Sequence, residues 1–273
     1  LTIRIAHLSD IHFGGEDKGA VEAVIEEVSA FAPDLTIVTG DLTLNGLPPE
    51  FRAARDWLHR LPSPLLVTPG NHDTPYWNLL LRALIPFERY EKFIGPASAS
   101  AYDAPGISAR TLNSARGAQL RPDWSKGAID VGRLGMMGWS GASALRVFAC
   151  HHPLIDIPDM PVTGHTLGGR AAARVLASQR VELVLTGHVH IPFAVALPEA
   201  PWTAYAVGAG TLSLRTRGAP ASYSTIVAEP GVFEVTVHGW VNDQFETTQT
   251  RRLIRAAASA EPEPAPPAHS SAS

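Results

Sequence analysis

One cysteine, Cys150, occurs in the 273-residue chain, so no disulfide can form within it. Nothing in its cysteine usage points to an oxidising compartment. Cys150 closes the apolar run that starts at Arg146, and it reads as a small core residue. No stretch reaches the ~18 uninterrupted apolar residues of a membrane helix. The N-terminus opens on a strand-like run and lacks the charged and apolar regions of a signal peptide. Cytoplasmic placement is the default expectation. Basic clusters are also missing: 22 Lys and Arg stand against 26 Asp and Glu, a formal net charge of −4. Proteins that live on nucleic-acid phosphates carry a basic patch or stripe. A long nucleic-acid partner is therefore disfavoured. A small anionic substrate fits if bound metal cations supply the local positive charge.

What the chain does have is apolar content, 45% of residues, enough for a sizeable core. Its first hundred residues alternate strand and helix patterns. Apolar runs at 3–8, 35–38 and 64–67 read as buried strands. Residues 17–31 read as a helix with Val21, Val24, Ile25 and Val28 on one face. Pro33 ends that helix, and Pro48 and Pro49 open a second through Phe51, Ala54, Trp57 and Leu58. Such alternation predicts parallel strands with crossover helices. Residues 77–94 look helical with interruptions at Pro86 and Gly95. The Gly, Ala and Ser-rich stretch 95–143 predicts short strands and loops. Strand, helix and strand patterns return at 145–149, 169–178 and 181–185. Runs at 202–207, 222–227 and 232–237 predict strands of antiparallel type. There is no internal repeat. Residues 1–255 read as one α/β domain, and 256–273, composed almost wholly of Ala, Pro, Glu and Ser, as a disordered tail.

Five short motifs follow those strands: Asp10-Ile-His12, Gly40-Asp41, Gly70-Asn71-His72-Asp73, His151-His152-Pro153 and Gly187-His188-Val-His190. In open α/β sheets, ligands bind past the carboxyl ends of the strands. Each motif alone is weak, because Asp, Asn and Gly favour turns whatever the function. The full ordered set is not explained by any requirement of folding. Aspartate, asparagine and histidine without cysteine suit manganese, iron or zinc. The acidic residues are too few for an all-oxygen calcium cage. The ligands are too many for one ion, and seven would serve two ions that share a carboxylate. Two metals so placed form a clamp for in-line displacement at phosphorus.

With these motifs the sequence resembles the calcineurin-like metallophosphoesterase superfamily, from residue 3 to about 240. The resemblance implies a four-layer α/β sandwich, two mixed sheets flanked by helices, with a dinuclear site at the strand ends. It implies that Asp10, His12 and His190 hold one metal, that Asn71, His151 and His188 hold the other, and that Asp41 bridges them. The metals expected are two ions of manganese or iron, with zinc as the further option. His72 corresponds to the family histidine that approaches the leaving-group oxygen, with Asp73 orienting it. His152 is divided between a supporting role behind the metals and a structural one. His165, Asn45 and Arg170 are further pocket candidates, although a solvated loop histidine is the better reading of His165.

Protein serine/threonine phosphatases of the superfamily carry an arginine soon after the Gly-Asp motif. Residues 40–46 here contain none. That absence, with Ser-Asp-Ile-His, Gly-Asp-Leu-Thr and His-His-Pro, resembles the bacterial phosphodiesterase branch. The expected activity is hydrolysis of a small phosphodiester, of cyclic-nucleotide or glycerophosphodiester type, by a hydroxide between the metals, with His72 as general acid. The alternatives are a nucleotide-lipid pyrophosphatase or phosphomonoesterase of the same superfamily and, further off, a non-catalytic metal-binding scaffold. Homo-oligomerisation is left open by the sequence.

Overall fold

A computed structural model describes residues 1–141, 144–157, 160, 166–198 and 204–255. The tail expected over 256–273, and His165, lie outside the described residues.

β1 (Ile3–Leu8) is followed by α1 (Lys18–Phe31), whose N-terminus is capped by the Asp17 carboxylate accepting from Ala20 N at 3.1 Å. Ala32 ends it in the left-handed conformation, one residue before Pro33. β2 (Leu35–Val38) leads to α2 (Pro48–Leu58). The two prolines occupy its first turn, where a missing N–H costs nothing, and Glu50 Oε2 accepts from Leu47 N at 3.1 Å. β3 (Leu65–Val67) ends the first α/β run. The helical pattern at 77–94 resolves into α3 (Leu79–Leu84) and α4 (Glu88–Phe93), with Pro86 between them. An antiparallel hairpin follows, β4 (Ala99–Ala104) and β5 (Ile107–Leu112), then α5 (Val131–Gly135). The rest runs β6 (Leu145–Ala149), α6 (Gly169–Ser178), β7 (Leu183–Thr186), β8 (Phe193–Ala196), β9 (Tyr205–Gly208), β10 (Ser222–Glu229), β11 (Val232–Val241) and β12 (Gln244–Ile254).

Two six-stranded mixed sheets form, in the orders β12-β11-β10-β1-β2-β3 and β4-β5-β6-β7-β9-β8. Side chains alternate across each strand, so every buried strand feeds two cores. Ile3, Ile5, Leu35 and Ile37 meet Leu145, Val147, Leu183 and Leu185 between the sheets. Ala6, Leu8 and Val38 point the other way, onto Val21, Val24, Phe51 and Ala54 of α1 and α2. Phe148, Cys150 and Val184 pack on Ala172, Ala173 and Leu176 of α6. The layers are therefore helices, sheet, sheet and helices, as the resemblance implied. The Trp57 indole N–H donates to Val21 O at 2.9 Å and ties the first helical layer together. Cys150 is fully buried; burial pushes its thiol up to about 12.

One strand departs from expectation. The run at 202–207 was predicted antiparallel, but β9 is antiparallel only to β8 and parallel to β7. It is thus the last strand of the parallel set β5-β6-β7-β9, and its carboxyl end faces the same rim as the others.

Candidate metal centre

That rim collects the motif residues. Asp10 and His12 follow β1, Asp41 follows β2, and Asn71, His72 and Asp73 follow β3. His151 and His152 follow β6, and His188 and His190 follow β7. All are buried except His72, which is half-buried. The loops turn too tightly for ordinary backbone angles. Asp10, His12, Asp41, His188 and His190 all take positive φ, between 51° and 67°. This left-handed region is sparsely used by residues other than glycine and marks functional sites when tertiary structure holds it. The motif glycines permit the close approach. A Cβ at Gly70 would stand 2.1 Å from Asp41 Oδ1, and one at Gly187 would stand 2.5 Å from Asp10 Oδ2.

Two groups of donors result. In the first, Asp10 Oδ1 lies 3.1 Å from His190 Nε2 and 3.7 Å from His12 Nε2, and the two imidazole nitrogens are 3.3 Å apart. In the second, His151, His152 and His188 gather their ring nitrogens. Asp41 lies between the groups: its Oδ2 is 3.8 Å from His12 Nε2 and 3.3 Å from His151 Nε2, while Oδ1 accepts from His72 N at 2.8 Å.

Backbone carbonyls fix the ring tautomers. His151 Nδ1–H donates to Thr39 O at 2.7 Å and His190 Nδ1–H to Arg215 O at 2.6 Å. Each therefore turns its Nε2 inward, as metal-binding histidines do. Asp10 Oδ2 is held by Ser9 Oγ–H at 2.6 Å and His188 N–H at 2.9 Å.

Charges follow from burial and neighbours. Burial holds His12 and His188 down to about 3, so both are neutral. Burial also opposes the carboxylates, but His190 beside Asp10 and His151 beside Asp41 keep both below the usual range. His151 is raised to about 9: burial opposes its charge, and the Asp41 carboxylate prevails. Metal fit can be tested on the polar atoms left over. Asp10 Oδ1, Asn71 Oδ1 and His151 Nε2 are buried without a hydrogen-bond partner. Buried polar atoms are rarely left so unless a ligand satisfies them. Their chemistry, carboxylate, amide and imidazole, is what a borderline divalent metal takes.

The remaining predicted residues divide. His72 Nδ1–H donates to Leu44 O at 2.6 Å, and its ring meets His12 edge to face at 4.7 Å and stacks on Tyr76. Asp73 does not reach the His72 ring, contrary to the role the resemblance implied. Its carboxylate accepts from Leu42 N, Thr43 N, Thr43 Oγ1 and Gly70 N, so it pins the Asp41 loop to the Asn71 loop. Burial and the Asp41 charge push it up to about 7, against those four donors. His152 is held at both nitrogens: Nδ1 by Ser114 Oγ at 2.9 Å, and Nε2–H donates to Ser125 O at 2.8 Å. It braces His151 and His188, which its ring touches at 4.7 and 4.6 Å. Arg170 lies on the surface, 3.7 Å from Asp156, and Asn45 bonds the Glu50 carboxylate, so these contacts tie neither to the candidate metal residues.

Sequence reasoning missed two arginines. Arg215 and Arg217 stand in the loop after β9, and Arg215 Nη1–H donates to His72 Nε2 at 3.1 Å. The loop carries no metal-type side chain, so no motif flagged it. The signal that was available is positional: the ends of β1, β2, β3, β6 and β7 all contribute to this rim.

Comparison with known proteins agrees with the geometry. The family model for calcineurin-like phosphoesterases matches residues 3–192. A probable cyclic nucleotide phosphodiesterase of Synechococcus is 29% identical over 208 residues, 71% of this chain and 75% of that protein. The glycerophosphodiester phosphodiesterase GpdQ of Enterobacter lignolyticus is 38% identical over 80 residues, 25% of this chain and 29% of that one. Among solved structures, a dimetal phosphatase of Danio rerio superposes with TM-score 0.57 at 13% identity, covering 90% of this chain and 99% of that chain.

Proposed function

The chain belongs to the calcineurin-like phosphoesterase family, and from that premise we propose that it is a dinuclear-metal phosphodiesterase acting on a small diester. The observation that carries the reading is the shared position of Asp41 between two groups of buried donors, with Asp10 Oδ1, Asn71 Oδ1 and His151 Nε2 all lacking partners. Asp10, His12 and His190 would hold one ion, Asn71, His151 and His188 the other, and Asp41 would be shared between them; the donor set suits manganese or iron, with zinc as the further option. Bound there, two such ions lower the pKa of water to supply a nucleophile near neutral pH and neutralise charge on the phosphoryl oxygens. The substrate's phosphoryl group would meet the two ions at the Asp41 edge of the site. His72 lies beside that edge and delivers a proton from Nε2 to the departing alkoxide. Cyclic nucleotides and glycerophosphodiesters are the substrate types named for the relatives.

The test is a panel of a cyclic nucleotide, a glycerophosphodiester, a nucleotide-sugar lipid and a phosphomonoester on one manganese-loaded preparation, with Asp41→Asn and His72→Ala alongside. Diesters are expected to turn over fastest. Asp41→Asn loses paired metal together with activity. His72→Ala keeps two ions and slows an alkoxide-leaving diester by roughly 10²–10⁴-fold, with a smaller effect on a nitrophenyl ester. A monoester that outruns every diester overturns the diesterase reading. Equal His72→Ala defects for both leaving groups overturn the acid role.

A further inference from the structure

The loop that follows β9 is bound to the metal residues along its backbone. Thr211 Oγ1–H donates to Asp10 O at 2.6 Å, Leu212 N–H to Asp10 O at 3.3 Å, and Leu214 N–H to Gly15 O at 3.1 Å. Arg215 O receives the His190 Nδ1 proton. Arg215 and Arg217 are thus delivered to the rim by the same contacts that orient two metal ligands.

Arg217 sits with Gly218 at the centre of a tight turn: Ala219 N–H donates to Thr216 O at 3.2 Å, and the two central residues take positive φ, +51° and +90°. The Arg217 Nη1 is buried and has no hydrogen-bond partner. The charges that reach it are those of the site itself: Asp10 and Asp41 attract it, and Arg215 repels it. His188 in turn feels its positive charge.

Arg217 is half-buried, and a guanidinium whose inner Nη1 is cut off from water without a carboxylate partner is costly. Beside two divalent cations and only two bridging or ligating carboxylates it becomes costlier still. One occupant reverses the sign, an anion bridging the guanidinium and the metals. A tetrahedral phosphate does so, because its oxygens match the guanidinium fork.

Resting on the phosphodiesterase reading, we propose that Arg217 and Arg215 form the phosphoryl-binding arm of this centre, gripping the non-bridging oxygens of the substrate and of the phosphate product. Arg217 is the fixed contact. Arg215 is shared: in the structure it donates to His72 Nε2, the nitrogen proposed to carry the proton to the leaving group.

The experiment is calorimetric titration of inorganic phosphate into manganese-loaded wild type, Arg217→Met, Arg217→Lys and Arg215→Met, with metal content measured on each. Arg217→Met is expected to keep two ions and to bind phosphate about ten- to a hundred-fold more weakly, the loss typical of one charged hydrogen bond. Arg217→Lys restores part of it. Arg215→Met weakens phosphate less. In kinetics, Arg217→Met raises KM for a diester more than it lowers kcat. Wild-type phosphate affinity in Arg217→Met overturns the proposal, and so does loss of metal with the arginine, which makes the loop a structural support. The two readings fail separately. Arginine-dependent phosphate binding without diester hydrolysis would sink the phosphodiesterase assignment and leave the arm. Diester hydrolysis with unchanged phosphate binding in the variants would do the reverse.

Discussion

Adding one methyl group at Gly187 should separate the two halves of the metal centre. Its Cβ would lie 1.8 Å from Ser9 Oγ and 2.5 Å from Asp10 Oδ2, where ordinary contact begins at 3.4 Å. Retreat is blocked on both sides. Gly187 N–H donates to His151 O at 2.9 Å, and the next residue, His188, donates its N–H to Asp10 Oδ2 at 2.9 Å. The loops after β1 and β7 must part by an ångström or more, and between them these loops carry four candidate ligands, Asp10, His12, His188 and His190. Overpacking of this kind costs about 1–3 kcal/mol, which lowers the melting temperature of a domain this size by about 2–12 °C. The functional loss should be larger, since a 1 Å misplacement costs roughly 10²-fold in rate. Gly187→Ala would be compared with Gly138→Ala, whose added Cβ meets nothing within 4 Å. Thermal melting without metal, elemental analysis and diester hydrolysis are the readouts. Wild-type metal content and rate in Gly187→Ala would refute the claim that this contact sets the spacing of Asp10 and His188.

Two further outcomes follow from buried histidines. His7 is held down to about 3, by burial first and against the Asp10 charge, while in the unfolded chain it titrates near 6.5. The unfolded state therefore binds a proton that the native state refuses. His7 contributes an acid-induced loss of stability that starts as pH falls through about 6.5 and grows by up to about 1.4 kcal/mol per pH unit toward 3. Melting curves of metal-free His7→Leu should show a shallower decline from pH 7 to 5 than wild type, and an equal slope would contradict this. His152→Leu removes the brace between Ser114 and Ser125, and one metal should bind about ten- to a hundred-fold more weakly. A metal titration in which both ions keep their affinity would show that His151 and His188 need no such support.

Most of the site was legible because metal ligands must be particular residue types, and they sit where strands end. The parallel strands β1, β2, β6 and β7 announced themselves as short apolar runs, and helix α6 was read with its observed ends. β12 escaped notice because Gln244–Ile254 is an exposed edge strand with few apolar residues, leaving no alternation to detect. Asp73 was expected to orient His72 because the resemblance implied it, and nothing in the sequence marked the bonds it makes instead. All but one of its donors come from the loop after β2, some thirty residues earlier. The arginines were invisible for a different reason. Guanidinium chemistry has no characteristic spacing, and β9 had been read as part of the antiparallel region, so its carboxyl end was not counted among the parallel ones.

The left-handed backbone at five candidate ligands also restricts how this centre can be altered. Asparagine, aspartate, histidine and glycine tolerate that conformation best, and three of those four types bind metals. Alanine at Asp10, His12, Asp41, His188 or His190 would disturb the loop along with the donor, and the two effects could not be told apart. Glycine at His12, His188 or His190 removes the donor and keeps the turn. Asparagine at Asp10 or Asp41 removes the charge and keeps it. A metal-free variant that stays folded is therefore reached by Gly and Asn substitutions, and sequence drift away from catalysis would pass through the same residues first.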